Sequence, residues 1–480
     1  MVYREILEKN KAEMLEKLQE LVRIRSVQTE PCRSSEGEVY PFGAGVEEAY
    51  QYTLKLGKEL GFEVKDWDHY CGHIEWKSEN PDAKIFGIAG HLDIVPEGDG
   101  WTFDPYAAEI ADGWMLGRGT LDDKGPVIAC LYGMKALKEA GYRPADTIRL
   151  ILGLDEETGR DSVHYYLEKD RMPDYGITPD GEFPLTNGEM GNMKFQLASR
   201  MKKYSPQEGL VLSKINAGLA PNIVPRTAKA VVASGDNGEY DTIRTKAEAF
   251  AEETGYNLKT RKVGTSLAIE ATGISAHGAD PHKGLNAISV LMAFLGRLDF
   301  VSDEVTEWIR YYNEHIGFNL HGENMECAFQ DEPSGKLICN VGMMELSNDV
   351  ATVTLNVRYP ISYTSESVYE GVEKTLEGTN IGLIKKGDDK PAYVPVDDPF
   401  IQTLCSVYVE ETGDDENKPF VDRGGTYAKV FRRMVAFGAL FPGEEDRMHQ
   451  PDERLSIEAL MKMTRIYTAM MEKLCMETEA

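Results

Sequence analysis

Three apolar runs within the first 190 residues each end in acids or in a histidine, and this pattern constrains the fold more than any other feature. The runs are AKIFGIAGHLD (83–93), TIRLILGLDEETG (147–159) and DYGITPDGEFP (174–184). Short runs that are apolar almost throughout are typical of strands buried on both faces of a parallel sheet. The carboxyl ends of such strands meet at one edge of the sheet, where binding sites form. We therefore expect the polar ends of these runs to lie close together.

A helix is predicted between the first two runs, over GPVIACLYGMKALKEAGY (125–142), with Pro126 in its first turn. Just before it, GRGTLDDKGP (117–126) sets Asp122 beside Asp123 in a turn that could reach the same sheet edge. Adjacent side chains in an extended segment point to opposite sides, so the two acids are not expected to share one role. Strands that alternate with helices predict an α/β fold with a mixed, largely parallel sheet flanked by helices.

The pattern changes near residue 190. Apolar and polar residues then alternate, as in strands with one covered face, in AKAVVASG (228–235), TSLAIEATG (265–273) and ATVTLNVRYP (351–360). From about residue 395 the first style returns, with helical FIQTLCSVYVEETG (400–413). A chain of 480 residues is also too long for one ordinary core. We predict a catalytic domain in two parts, residues 1–189 and 395–480, with an inserted α+β lid domain at residues 190–394.

Composition narrows the partners and the location. A formal net charge of −28 excludes nucleic acid as a partner, because a polyanion would be repelled over most of the surface. The charged N-terminal segment predicts an amphipathic helix and not a signal peptide; its apolar face carries Met14, Leu18, Leu21 and Val22. No stretch approaches the ~20 apolar residues that a membrane span needs. We expect a cytoplasmic protein with no membrane partner.

The cysteines limit the kind of metal site. Seven of them are scattered along the chain without a CxxC pair, which is typical of reduced thiols in the cytosol. A metal site would therefore use His, Asp and Glu, which bind zinc, manganese or cobalt. Singly, a histidine at a strand end is more often structural, and paired acids in a loop are more often solvated. Four such clusters near successive strand ends favour a metal site.

Five motifs carry a family resemblance across nearly the whole chain. They are HLDIVPEG, GRGTLDDKGP, DEETG, TPDGEFP and, near the C-terminus, MHQPDE. In this order they resemble the metal-site motifs of the two-metal peptidases and amidohydrolases that include carnosinase, aminoacylase and acetylornithine deacetylase. TLDDKGP and PDGEFP are most similar to the wording of the bacterial dipeptidase V group. The resemblance implies a zinc-peptidase-like catalytic domain with a lid.

The resemblance also implies the ligands of two divalent cations, with zinc expected first and manganese or cobalt as alternatives. His91 and Asp180 would bind one cation, Glu157 and His449 would bind the other, and Asp122 would bridge both. Carboxylates that bridge two cations hold them ~3.5–4 Å apart, a spacing at which a shared water ionises near neutral pH.

Two further acids receive roles from the resemblance. Asp93 would orient the imidazole of His91, and Glu156 would be the general base. The bond between Asp122 and Asp123 is expected to be cis, with Asp123 pointing away from the cations. Family members with an aspartate in the place of Asp180 are aminopeptidases and dipeptidases, whereas the deacylases use glutamate there, so Asp180 favours substrates with a free amino end.

Three segments of the predicted lid, and GGTYA in the second part of the predicted catalytic domain, resemble substrate-binding segments of the same family. ISAHGADPHKG (274–284) would supply His277 to stabilise the oxyanion. Asn222 of APNIVP, Arg358 of LNVRYP and Gly425 of GGTYA would bind the substrate. Arg358 also lies within an apolar β pattern, where a charged side chain needs a partner. That partner is either the carboxylate of the substrate or an acidic side chain at the surface. The enlarged lid implies a monomer.

The sequence thus predicts a metal-dependent dipeptidase that hydrolyses short peptides with a free N-terminus. Two alternatives stay open at this point: an N-acyl-amino-acid deacylase or desuccinylase of the same clan, and an inactive relative that binds metal or peptide. Substrates with and without a free α-amino group would discriminate the first alternative.

Overall fold

The structure, a computed structural model, describes residues 2–477 of the chain. Its helices are α1 (Val2–Val22), α2 (Ala44–Glu59), α3 (Lys124–Glu139), α4 (Asp161–Lys169), α5 (Asn237–Thr254), α6 (Ala287–Leu295), α7 (Asp303–Tyr311), α8 (Ser365–Leu376), α9 (Pro399–Thr412) and α10 (Ile457–Cys475). Helix α1 buries the four residues of its predicted apolar face, Met14, Leu18, Leu21 and Val22. Within the described residues, none of these helices has both the length and the apolar composition that a membrane crossing requires.

The strands lie where the apolar runs predict them, but they end earlier because the terminal acids belong to the following loops. The strands are β1 (Cys32–Arg33), β2 (Val39–Tyr40), β3 (Glu63–Trp67), β4 (Cys71–Trp76), β5 (Ile85–His91), β6 (Glu109–Ala111), β7 (Trp114–Leu116), β8 (Thr147–Gly153), β9 (Tyr175–Thr178), β10 (Thr186–Glu189), β11 (Gly191–Arg200), β12 (Val211–Ala217), β13 (Thr227–Ala233), β14 (Asn257–Val263), β15 (Ser266–Thr272), β16 (Gln330–Asp331), β17 (Gly335–Lys336), β18 (Ile338–Ser347), β19 (Val350–Tyr359), β20 (Ile381–Asp389), β21 (Ala392–Tyr393), β22 (Phe420–Asp422), β23 (Met434–Ala436) and β24 (Arg454–Ser456).

The chain divides into two units, of which unit 1 contains residues 2–188, 393–421 and 425–477. Its main sheet has the order β21-β10-β23-β9-β5-β8-β4-β3. The four strands β23, β9, β5 and β8 are parallel, and the pairs β10–β23, β8–β4 and β4–β3 are antiparallel. Side chains of β5 and β8 alternate between a large core shared with α1, α3 and α10 and a smaller core shared with α4. The predicted α/β class with a mixed, largely parallel sheet is confirmed.

Unit 2 contains residues 189–392 and 422–424. Its eight-stranded sheet has the order β14-β15-β13-β12-β18-β19-β11-β20, and its neighbouring strands run antiparallel. Residues along β11 alternate between buried and more exposed positions, as expected of a sheet with one covered face. Helices α5 to α8 contribute to the core of this unit. The stretch 422–424 belongs to unit 2 because Asp422 and Arg423 hydrogen bond to Met190 and Arg358.

The order of the central strands in unit 1 determines which loops meet. Strand β5 lies between β9 and β8, and all three run parallel. His91 at the end of β5 pairs in register with Gly153 at the end of β8. The loops that follow β8 and β9 begin at the same edge, and they carry the acids of DEETG and TPDGEFP. The polar ends of the three runs therefore meet at one sheet edge, as predicted.

The turn before α3 approaches the end of β5 closely because Gly90 of β5, which faces the turn, has no side chain. The backbone N–H of His91 donates to the Asp123 carboxylate over 3.1 Å. A Cβ atom on Gly90 would lie 2.7 Å from Asp123 Oδ2 and 2.5 Å from Val127 Cγ2. A larger residue at position 90 would therefore push the turn and the first turn of α3 away from the strand end.

A buried polar cluster lies in unit 1 away from this edge. His73 on β4 is 5% exposed, and its Nδ1 lies 2.9 Å from the Tyr166 hydroxyl. The Arg149 guanidinium donates to Glu75 and, over 3.0 Å, to Asp170. Burial, followed by the positive charge of Arg149, lowers the pKa of His73 to about 4, against the weaker opposing effects of Glu75 and Asp170.

The depressed pKa of His73 predicts a loss of stability in mild acid. Below pH 6.5 the unfolded chain protonates this imidazole, while the folded chain does so only near pH 4, so the free energy of unfolding falls as the pH falls through this window. His73→Gln removes the titration. Between pH 7 and pH 5, we expect the free energy of unfolding of the wild type to fall by about 2 kcal/mol more than that of His73→Gln, as measured by urea unfolding. A pH-independent difference would contradict this.

Candidate active site

His91, Asp122 and Asp180 form the first of two groups of potential metal ligands at the sheet edge. The ligand atoms of the group all lie within 4.8 Å of one another. His91 Nε2 lies 2.9 Å from Asp122 Oδ1 and 3.8 Å from Asp180 Oδ2. The three residues come from the end of β5, from the turn before α3 and from the loop after β9. The strand order thus brings together side chains that are far apart in the sequence.

The second group consists of Asp122, Glu157 and His449. His449 Nε2 lies 3.0 Å from Asp122 Oδ2 and 3.0 Å from Glu157 Oε2. His449 belongs to the loop before β24, adopts a positive φ of 61°, and has a half-exposed side chain, so the site is open to solvent on this side. Asp122 is common to both groups, and each of its two carboxylate oxygens faces a different histidine.

Asp93 makes more contacts than the sequence suggests. The Nδ1 atom of His91 lies 3.0 Å from the Asp93 backbone oxygen and 3.3 Å from its carboxylate, contacts that orient the imidazole. The Asp93 carboxylate also accepts hydrogen bonds from the backbone N–H groups of Glu156 and Glu157, both over 3.1 Å. One buried acid therefore holds the end of β5 and the loop after β8 in a fixed relation.

The carboxyl groups of Glu156 and Glu157 have raised pKa values. Burial and the nearby Asp180 carboxylate raise the pKa of Glu156 well above its usual range. Burial and the Asp122 carboxylate raise the pKa of Glu157, although His449 acts in the opposite direction. Asp122 itself has a lowered pKa despite burial, because it accepts hydrogen bonds from both histidines. Like charges are thus concentrated around Asp122.

This arrangement fits two divalent cations. Each ligand group combines one imidazole with two carboxylates, a donor set that suits zinc, manganese or cobalt. The repulsion among the buried carboxylates, expressed in the raised pKa values of Glu156 and Glu157, would be offset by cations. The hydrogen bonds of Asp122 and Glu157 raise the pKa of His449 to about 11, and a cation would replace the proton that they retain.

The two adjacent aspartates of the turn have different surroundings. The peptide bond between Asp122 and Asp123 is cis, as the resemblance predicts. Asp123 is absent from both ligand groups, and its carboxylate instead accepts the backbone N–H of His91. Asp122 therefore faces the two histidines, while Asp123 contacts the backbone of the neighbouring strand.

Asp155, the first acid of the DEETG motif, shapes the loop, although the sequence predicts no role for it. Asp155 accepts the backbone N–H groups of Asp161, over 2.7 Å, and of Ser162, over 3.1 Å, together with the Ser162 hydroxyl. The buried Tyr427 hydroxyl lies 3.2 Å from the Ser162 hydroxyl. These contacts fix the loop that carries Glu156. The sequence does not separate Asp155 from Glu156 and Glu157, because its burial and these hydrogen bonds depend on the fold.

Asn222 and His277, the first two predicted lid residues, lie on neighbouring segments of unit 2. Ile223 and His277 form an isolated antiparallel bridge, and the Gly278 N–H donates to the Asn222 carbonyl over 2.7 Å. The side chains of Asn222 and His277 are both exposed. Asn340 donates to the carbonyls on either side of Asn222, over 2.8 and 3.2 Å, and so holds this segment.

Arg358 is buried near the end of β19 in unit 2 and is 4% exposed. Its guanidinium donates to the backbone oxygen of Arg423. Burial lowers the pKa of Arg358, and the nearby Asp422 partly opposes this effect. Gly425 follows two residues after Arg423, is exposed, and belongs to unit 1. The ligand groups around Asp122 also lie in unit 1, whereas Asn222, His277 and Arg358 lie in unit 2.

Comparison with known proteins agrees with this geometry. Residues 87–473 match peptidase family M20/M25/M40. The chain is 34% identical over 468 residues to "Putative dipeptidase YtjP" of Bacillus subtilis (strain 168), and the match covers 96% of each chain. It is 31% identical over 479 residues to the Beta-Ala-Xaa dipeptidase of Lactobacillus delbrueckii subsp. lactis, and that match covers 99% of each chain. Its fold is similar to that of aminoacylhistidine dipeptidase from Vibrio alginolyticus, with a TM-score of 0.57, 15% identity and 97% of each chain covered. The resemblance seen in the five motifs is confirmed, and the chain belongs to peptidase family M20/M25/M40.

Proposed function

We propose that this chain is a metal-dependent dipeptidase that hydrolyses short peptides with a free N-terminus. The observation that carries the proposal is the position of Asp122, whose Oδ1 lies 2.9 Å from His91 and whose Oδ2 lies 3.0 Å from His449. Two such groups sharing one carboxylate suit a pair of divalent cations, and zinc is the first candidate. The relatives named as dipeptidases, which match over nearly the whole chain, support the substrate class.

The chemistry follows from the site residues. When bound, divalent cations polarise a carbonyl oxygen and lower the pKa of water, which makes a hydroxide nucleophile accessible near neutral pH. Glu156 would take the proton from the attacking water and pass it to the leaving amine. Its place in the loop that Asp93 holds through two backbone hydrogen bonds of 3.1 Å, next to the ligand Glu157, supports this role.

The residues of unit 2 would bind the substrate. An N–H of the His277 imidazole would donate to the oxyanion that forms on the reacting carbonyl, with Asn222 beside it on the neighbouring segment. Arg358 would bind the terminal carboxylate through its guanidinium, together with the backbone N–H of Gly425. Its burial among the strands supports this role, because a buried guanidinium gains most from a charged partner.

We further propose that the enzyme is a cytoplasmic monomer. The edge strands of the unit 2 sheet, β14 and β20, expose basic side chains at Lys259, Arg261, Lys262, Lys385 and Lys386. Like charges along an edge oppose its pairing with the same edge of a second chain. All seven cysteines, each within the described residues, are free, which supports a reducing compartment.

Metal replacement combined with a substrate panel tests the proposal. The protein is stripped with a chelator and then reconstituted separately with zinc, manganese or cobalt. We expect hydrolysis of unblocked dipeptides to vanish on stripping and to return with metal, while longer peptides and N-acetyl amino acids are cleaved far more slowly. The reconstituted enzyme is expected to show the mass of one chain by light scattering. Preference for N-acyl amino acids would instead identify a deacylase, and metal binding without any hydrolysis would identify an inactive relative.

Glu156→Gln separates proton transfer from metal binding. The substitution keeps the shape of the side chain but removes the base, so kcat for a dipeptide should fall by about 10²- to 10⁴-fold. Metal content measured by atomic emission should stay at the wild-type level. Glu97→Gln is the matched control, because Glu97 belongs to the HLDIVPEG motif but pairs with Arg25 over 3.0 Å at the surface, and its kcat should not change. Loss of metal together with activity in Glu156→Gln would contradict a role limited to proton transfer.

A further inference from the structure

Glu453, the last residue of the MHQPDE motif, is completely buried beside the turn that carries Asp122. Its Oε1 accepts the backbone N–H groups of Gly119 and Leu121, both over 3.0 Å, and that of Asp122 over 3.4 Å. Backbone N–H groups of one turn that converge on one oxygen form a binding site for an anion. The side chain of Glu453 thus determines the path of the turn up to Asp122 itself.

The second oxygen of Glu453 contacts Arg118. Its Oε2 accepts from Arg118 Nη1 over 2.6 Å, and the arginine side chain is 2% exposed. The guanidinium also lies over the ring of Trp101, at 5.1 Å from its centre. One oxygen of the Glu453 carboxylate therefore binds the guanidinium of Arg118, and the other binds the backbone of the turn.

Strand pairing explains why these two segments meet. Strands β7 and β24 are antiparallel, with Leu116 opposite Arg454. The Gly117 N–H extends this pairing by donating to the Glu453 carbonyl over 3.0 Å. The turn that carries Asp122 begins where β7 ends, and the loop that carries His449 ends where β24 begins. Glu453 lies at this junction and joins the loops that supply Asp122 and His449.

We propose that Glu453 is a positioning residue that sets the orientation of the Asp122 carboxylate between the two ligand groups. This inference rests on the proposed function, because it assumes that the two groups bind cations. Asp122 has to direct one oxygen to each histidine, so a small displacement of its backbone would weaken both groups together. Without the Glu453 carboxylate, three N–H groups and a buried guanidinium would lose their acceptor, and the turn would have to rearrange.

The Glu75–Arg149 pair in the His73 cluster provides a matched control. Glu75 is also a buried acid, 7% exposed, and it accepts from Arg149 in the same unit, whose side chain is 12% exposed. It differs in contacting neither the turn that carries Asp122 nor the loop that carries His449 in any described hydrogen bond or ion pair. Glu75→Gln therefore reports what the loss of a buried ion pair costs in stability alone.

The experiment measures zinc affinity in Glu453→Gln, Glu75→Gln and the wild type, by competition with a chromophoric chelator after metal stripping. A glutamine at position 453 cannot serve the N–H groups and Arg118 at once, because its amide has one oxygen and one NH2 group. We expect the Kd for zinc to rise about 10- to 100-fold in Glu453→Gln, the range typical of residues that support metal ligands, and to change less than threefold in Glu75→Gln. Thermal unfolding of the metal-free proteins should show destabilisation in both variants.

Glu453→Asp is the second variant, since it retains the charge but is one methylene too short to reach both sets of donors. A raised Kd for zinc in either folded Glu453 variant supports the inference. An unchanged Kd in both, with lower stability only, overturns it, as does failure of both to fold, because Glu453 would then serve folding itself. A wild-type protein that binds no zinc and cleaves no dipeptide would overturn the proposed function, whereas a normal wild type with normal zinc affinity in the variants would overturn the inference alone.

Discussion

The contacts of one carboxylate, that of Asp122, are the constraint on which the rest of the site depends. Its oxygens face two histidines that come from opposite ends of the chain, His91 on a central strand and His449 in a loop before the last helix. Such an arrangement requires both loops to be held within ~0.5 Å of the geometry that the ligands need. The surrounding structure does this with buried acids that accept backbone N–H groups: Asp93 for the loop after β8 and Glu453 for the turn before α3.

These supporting acids also explain how unit 1 tolerates so much buried negative charge. An isolated buried carboxylate is costly, but each of these accepts several hydrogen bonds, and Glu453 also pairs with Arg118. Burial and nearby carboxylates nevertheless raise the pKa values of Glu156 and Glu157, and burial together with Asp122 raises the pKa of Glu453 to about 7. Asp122 is one of the charges that raise the pKa in all three acids, and strongly shifted pKa values of this kind are typical of functional sites.

The sequence predicts the central strands of unit 1 and the sheet edge at which they end, because local patterns are sufficient to predict them. Buried strands that end in acids indicate a sheet edge, and the three strand ends that carry His91, Glu157 and Asp180 do lie side by side. The sequence does not predict the contacts of Glu453 with Arg118, because the two residues are 335 positions apart and each resembles an ordinary surface charge. Nor does it predict that the Asp93 carboxylate accepts from the loop after β8, since that contact depends on strand order and register. The roles of Asn222, His277, Arg358 and Gly425 stay predictions.

Anomalous X-ray diffraction at the zinc edge, from crystals of the zinc-loaded protein, tests most directly the claim that Asp122 is shared by two cations. We expect two anomalous peaks ~3.5–4 Å apart. One peak should contact His91 and Asp180, the other should contact Glu157 and His449, and Asp122 should contribute one oxygen to each. A single peak at full occupancy, or two peaks of which only one contacts Asp122, would contradict it.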